Sequence, residues 1–312
     1  MDAPSGPGFR IGNRGGPHPS DISSGRVRAR LRSAWAMSGL VVVLNSAAAA
    51  AGLLVDGLYP DSAVAAAAFR GNDLAVVLVG MPALTLAVIG AMRGSLRAHL
   101  VWIGMLAYTI YNLAYYVFGA QFNDLFLLHV AAFISSVFAF GLALVSLDVT
   151  SVGERSAPRV PVRWISVLLV LPAAAIVVLY SVSSVRFAIT GQQPSDVLPM
   201  PPERVHLAYA LDLTLLVPAV TVAAVQLWRR TAWGYALGTA ACLAVGVYQL
   251  NYIIQKTFVA GAGVAGVTPS DPRDLPVPAV LLTSAAVLLL GLRKAQTRSA
   301  PDSTGATEMS GT

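Results

Sequence analysis

The stretch "RGNDLAVVLVGMPALTLAVIGAMRGSLRAHLVWIGMLAYTIYNLAYYVFG", Arg70 to Gly119, decides how the chain is read. From Leu74 to Met92 it carries no charged residue, and from Leu100 to Phe118 again none. About 20 such residues at 1.5 Å each cross the ~30 Å of hydrocarbon in a bilayer. Two membrane helices joined by a short basic turn, Arg93 to Arg97, are therefore expected. The second carries four tyrosines and an asparagine where leucine would be easier to place in lipid.

Outward from this stretch the pattern repeats. Further apolar runs lie at Trp35–Val55, Leu125–Leu147, Ile165–Val185, Leu207–Trp228, Gly234–Gln255 and Pro276–Leu292. Of the 312 residues, 56% are hydrophobic and 12% charged, with a mean hydropathy of +0.67. Soluble domains carry about twice that charge. No segment shows the period-two alternation of a barrel strand, so helices alone satisfy the backbone in lipid. The expected fold is all-α, with eight transmembrane helices. Residues 1–34 and 293–312 read as disordered cytoplasmic tails, 35–147 as helices one to four, 148–163 as a cytoplasmic linker and 164–292 as helices five to eight.

The net charge of +6 does not mark a nucleic-acid binder, because the basic residues gather at span ends and no soluble domain presents them. With the N-terminus inside, every basic residue except Arg70, Arg186, Arg204, Lys256 and Arg273 falls on the inner side. The positive-inside rule thus predicts both termini in the cytoplasm and a plasma-membrane location. Trp35, Trp102, Trp164, Trp228 and Trp233 fall at the same inner ends. Cys242 is the single cysteine, which excludes an intramolecular disulfide and a thiolate metal cluster.

An internal repeat is expected. Asp73-Leu74 and Asp212-Leu213 each precede a proline and then an arginine that ends the span. Arg93 to Tyr111 and Arg230 to Tyr248 are both 18 residues, and Asp124-Leu125 matches Asp274-Leu275. Two four-helix units with the same orientation follow, related by an axis along the membrane normal and pairing Tyr111 with Tyr248.

Tyr108, Tyr111, Asn112 and Tyr115 share offsets of 0, 3, 4 and 7, hence one helical face; Tyr248, Asn251, Tyr252 and Gln255 repeat those offsets. Polar faces in hydrocarbon turn inward or pair. Helix-to-helix hydrogen bonding and an aromatic belt at the headgroup level both account for such faces, as does an outward-facing polar pocket. Asp212 is placed about one turn deeper than Asp73, because it lies 17 rather than 20 residues from the next arginine. With His129 it completes the candidate pocket of Tyr108, Tyr111, Asn112, Tyr115, Tyr248, Asn251 and Tyr252. Arg70, Asp73, Asp124, Arg204 and Asp274 are candidate charges at the outer rim, Asp73 and Asp124 reading equally as helix N-caps. His129 and His206 form the minimum pair for haem, but their spacing fixes no geometry. No catalytic motif, metal set or cofactor fingerprint stands out.

The segment Arg70 to Val130, with its elements "GND", "RGS", "YN", "YY", "FG" and "FNDLF", resembles an uncharacterised family of bacterial multi-span membrane proteins, over residues 70–147. That resemblance implies the membrane class and no activity. The leading expectation is binding, and transport, of a small molecule or lipid from a bilayer-embedded pocket. The alternatives are a sensor or assembly partner working through helix contacts, and a membrane-embedded enzyme.

Overall fold

The computed structural model describes residues 19–192, 202–263, 267–269 and 271–293. The helices are α1 (Pro19–Leu54), α2 (Ala63–Ala75), α3 (Met81–Met92), α4 (Leu96–Gly119) and α5 (Phe126–Val145). Then come α6 (Val149–Arg155), α7 (Val162–Thr190), α8 (Pro202–Leu211), α9 (Val217–Trp228), α10 (Ala232–Gly261) and α11 (Pro276–Leu290). A π-helical turn, Val76–Gly80, joins α2 to α3, and another, Asp212–Leu216, joins α8 to α9. Among the described residues eight helical segments are long and apolar enough to cross a membrane, so the chain is an all-α, multi-pass membrane protein.

Two boundaries differ from the sequence reading. Residues 19–34 belong to α1 rather than to an unstructured tail, while 1–18 and 294–312 lie outside the described residues. The second span begins at Ala63, not Leu74. Arg70 and Asp73 interrupt the apolar run in sequence, but the alanines before them favour helix and Arg70 reaches outward to the Leu53 carbonyl at 3.0 Å.

Each π turn ends just before a proline, Pro82 or Pro218. Proline has no N–H to give to the carbonyl four residues back, and its ring crowds that carbonyl. Widening the preceding turn relieves the conflict. After each proline the same local features follow in the same order. Gly94 and Arg230 take positive φ, 81° and 56°. Ser95 and Thr231 then cap the next helix, accepting from the backbone N–H of Ala98 at 3.3 Å and of Gly234 at 2.9 Å. All these features recur at a constant shift of 136 residues, Pro82 to Pro218. That shift sets Arg93 against Arg229 and Asn112 against Tyr248, one position away from the pairing of Tyr111 with Tyr248 expected from side-chain identities. The backbone responds to proline and turn positions, which identity matching in alanine- and valine-rich sequence does not weigh.

The packing centres on α4 and α10, which pack against each other. α4 packs also on α3 and α5, and α10 on α2, α9 and α11. α1 runs along α5 and α2; α7 packs on α9, and α7 and α11 make no contact comparable to that of α1 with α5. Trp102, fully buried, donates to Ser38 Oγ at 2.9 Å and ties α4 to α1. Large apolar side chains cover the outside, with Leu86, Leu127 and Leu290 each at least 70% exposed. In water such a girdle would aggregate; in lipid it is solvated.

Arg97, Arg155, Arg230 and Arg293 gather at one end of the bundle. There Arg97 donates to the Leu292 carbonyl at 2.5 Å and Arg230 to the Pro158 carbonyl at 3.1 Å. The Arg293 backbone N–H donates to the Arg155 carbonyl at 2.8 Å. The linker between α5 and α7 is thereby held against the end of α11. Most tyrosines of the two central helices lie toward the opposite end, called the tyrosine end below.

Close approach of α10 needs small residues facing it. A Cβ on Gly71 would lie 2.6 Å from the Gln255 Cα, and one on Gly104 would lie 3.2 Å from the Ala240 Cα. Gly71→Ala is expected to lower the thermal unfolding midpoint in detergent, at a loss of about 1–3 kcal/mol, because backbone cannot step aside. Gly141→Ala, on α5 with nothing within 4 Å of the new methyl, is the control and should hold or raise the midpoint. An unchanged midpoint for Gly71→Ala would show that α2 and α10 do not meet there.

Candidate functional site

The polar residues of α4 do not form one face. They divide into two clusters, because Tyr116 and Asn112 bond to side chains of α2 and α10 while Tyr111 bonds to Asp212 at the end of α8.

The first cluster sits between α2, α4 and α10. Asp73 is 1% exposed and accepts a phenol on each oxygen: Tyr59 on Oδ2 at 2.7 Å and Tyr116 on Oδ1 at 2.7 Å. Asn72 Nδ2 donates to the Tyr116 hydroxyl at 2.8 Å. The Asn251 amide, from α10, donates to Asn72 Oδ1 and to Asn112 Oδ1, the latter at 3.0 Å, with the Tyr108 hydroxyl at 3.4 Å. Gln255 adds a bond to Asn251 Oδ1 at 3.3 Å. His129 stacks on Tyr116, ring centroids 4.5 Å apart, and Phe69 packs between Tyr59 and Tyr116 at 5.0 and 4.9 Å. A methyl on Gly52 of α1 would strike Asp73 Oδ2, so α1 closes this cluster from the side. Two buried donors or acceptors, Asn112 Nδ2 and His129 Nδ1, have no partner among the described residues. Burial, and then the charge of Asp73, hold the Tyr59 phenol well above its usual range, so it stays protonated and donates.

The second cluster surrounds Asp212, the first residue of the second π turn and 7% exposed. Tyr111 donates to Oδ1, and Tyr180 of α7 donates to Oδ2 at 2.9 Å. Tyr111 and Tyr115 hydroxyls lie 3.1 Å apart. Tyr248 of α10 meets Tyr111 edge-on, centroids 4.8 Å apart, and stacks with Tyr115 at 6.1 Å. Tyr209, one turn before Asp212, stacks on Tyr180 at 3.7 Å and 7°, and its buried hydroxyl has no partner among the described residues. Among the described residues no cation lies within ion-pair distance of Asp73 or Asp212, and the partners of both carboxylates there are phenols.

The expected pocket residues are thus distributed as follows. Tyr111, Tyr115, Tyr248 and Asp212 come together. Tyr108, Asn112 and Asn251 join the Asp73 cluster, and so does His129, which does not flank Asp212. Tyr252 stands apart from both, one turn from Lys256, whose ammonium pairs with Asp274 at 2.6 Å. Asp73 is not a rim charge or a helix cap: it lies inside α2, because the span starts a full ten residues earlier at Ala63. Arg70 lies partly exposed, 3.2 Å from Asp56. Asp124 is exposed before α5, and the side chain of Arg204 lies outside the described residues. His206 is exposed on α8 and His129 is buried beside Tyr116, so the two histidines do not converge.

Sequence reasoning missed Tyr59, Asn72, Tyr116, Tyr180 and Tyr209. Tyr209 precedes Asp212 by three residues, and that spacing signals a shared face. Nothing local marks Tyr59 or Tyr180, which arrive from other helices and loops. No protein-family model, no curated protein and no solved structure matches the chain.

The first cluster yields a test of coupling. Asn251→Ala and Asn72→Ala should each cost about 1–3 kcal/mol, since each strands buried partners. The double variant should cost less than the two together, because both break the same bond. Strict additivity of the unfolding midpoints in detergent would show that the two amides do not interact.

Proposed function

We propose that this membrane protein binds a small molecule or lipid at the Asp212 cluster and carries it across the bilayer. In this reading the site opens at the tyrosine end, which faces outward from the plasma membrane, and both tails lie in the cytoplasm. Two parallel four-helix repeats form the frame, their π turns placed alike within the bilayer. The observation that carries the reading is Asp212 itself. An ionisable group within a span is costly to keep and marks a functional site when no cation neutralises it. Here its partners are the Tyr111 and Tyr180 phenols, supplied by two different helices. Tyr111, Tyr115 and Tyr248 remain partly exposed around it, whereas Tyr108, Tyr116, Asn72 and Asn251 of the Asp73 cluster are buried. The polar side chains of the two clusters point at one another rather than at lipid, which favours an internal site over a polar stripe made for helix partners.

Cysteine labelling tests this without knowledge of the ligand. Cys242 is fully buried and gives a silent background. Tyr115→Cys should react with a membrane-impermeant maleimide in intact cells. Ser5→Cys and Ser303→Cys should react only after permeabilisation. Protection of Tyr115→Cys under both conditions would mean a closed interior and no pocket. Labelling of Ser5→Cys in intact cells would reverse the orientation.

A further inference from the structure

We propose that the ligand of the Asp212 cluster carries an ammonium group, and that Asp212 with its tyrosines forms an aromatic cage for an organic cation. This inference rests on the binding reading above and adds the chemical class of the ligand.

Three features point to a cation. The first is the carboxylate, which lies inside a span without an ion-pair partner among the described residues and would repel an anion. The second is the number of rings. Tyr111 and Tyr180 bond to the carboxylate, Tyr115 and Tyr248 pack on Tyr111, and Tyr209 stacks on Tyr180, so rings from α4, α7, α8 and α10 gather around it. Ring faces attract ammonium groups, more strongly once water is excluded, and aromatic cages bind quaternary ammonium this way. The third is the buried Tyr209 hydroxyl without a partner, which offers a hydrogen bond to a polar group on the same ligand.

The two phenols on Asp212 occupy the places where an ammonium would sit. A cation reaching Asp212 displaces one of these hydroxyls from its carboxylate oxygen, and the rings of Tyr111 and Tyr180 line the place it takes. The Asp73 cluster differs here. Gly52 of α1 packs against the Asp73 carboxylate, and Tyr59 and Tyr116 are buried, so no side remains for a ligand. Asp73 therefore acts as a structural carboxylate and Asp212 as the binding one. An ammonium can belong to a free organic cation or to a lipid headgroup, and the chemistry at Asp212 is common to both.

The test uses the full chain in phosphatidylglycerol nanodiscs, titrated with choline and with 3,3-dimethylbutan-1-ol, its uncharged isostere of the same shape. Choline should bind saturably and raise the unfolding midpoint; the isostere should do neither. Asp212→Asn should weaken choline at least tenfold, Asp212→Glu should retain part of the affinity, and Tyr115→Leu should weaken it about two- to tenfold. Should Asp212→Asn fail to fold, Asp212→Glu and Tyr115→Leu carry the comparison. Replacing phosphatidylglycerol by phosphatidylethanolamine should leave choline binding unchanged if the ligand is a free cation. Competition from that lipid would assign the ammonium to a headgroup, and the cage would stand. Equal binding of the isostere, or choline binding untouched by Asp212→Asn, would overturn the ammonium inference and leave the pocket intact. No binding of either probe would also overturn it if Tyr115→Cys labels in cells; if that cysteine is protected as well, the pocket reading itself fails.

Discussion

The Asn251 amide, shared between Asn72 of α2 and Asn112 of α4, joins residues 179 and 139 positions apart in the chain and fixes how the centre of the bundle closes. In hydrocarbon an unpaired amide has no water to turn to, so its bonds must be found within the protein. A single amide with two hydrogens and an accepting oxygen can serve three helices at once. Gly71 and Gly104 make this reach feasible, because they let α2 and α4 come close to the α10 backbone. The polar bond and the small residues depend on one another: without the glycines the amides would not meet, and without the amides the close packing would carry unsatisfied groups.

The prolines act on a different level. Pro82 and Pro218 each force a wide turn upstream, and each wide turn rotates the residues before it relative to those after. In the first span Asp73 lies three residues before the π turn; in the second Asp212 opens it. At a shift of 136 residues the counterpart of Asp73 is Tyr209, not Asp212. Asp212 therefore sits nearly one turn further into its span. That difference sends the two carboxylates to different neighbours, one sealed by α1 and one facing the tyrosines of α4, α7 and α10.

The asymmetry of packing matters equally. α1 lies along α5 in the first half, and α7 makes no comparable contact with α11 in the second. The tight half surrounds Asp73 and its amide network. The looser half leaves Tyr111, Tyr115 and Tyr248 partly exposed beside Asp212.

The sequence by itself determined the helical class, the eight spans and the sites of polar cost, because hydrocarbon thickness and backbone hydrogen bonding act through local composition. It also marked Tyr111, Asn112, Asn251 and Asp212 as residues that could not face lipid. It could not determine which of them would meet. Offsets of 3, 4 and 7 define an arc of a helix about 100° wide, and only the neighbouring helices decide where such an arc is divided. Tyr111 and Tyr115 went to Asp212, while Asn112 and Tyr108 went to Asn251, because α4 lies between two different partners. Tyr59, Tyr116 and Tyr180 became partners of the carboxylates through contacts 14, 43 and 32 residues apart. Those distances lie beyond any local periodicity, so tertiary packing alone decided that one aspartate would be sealed by α1 and the other left beside partly exposed rings.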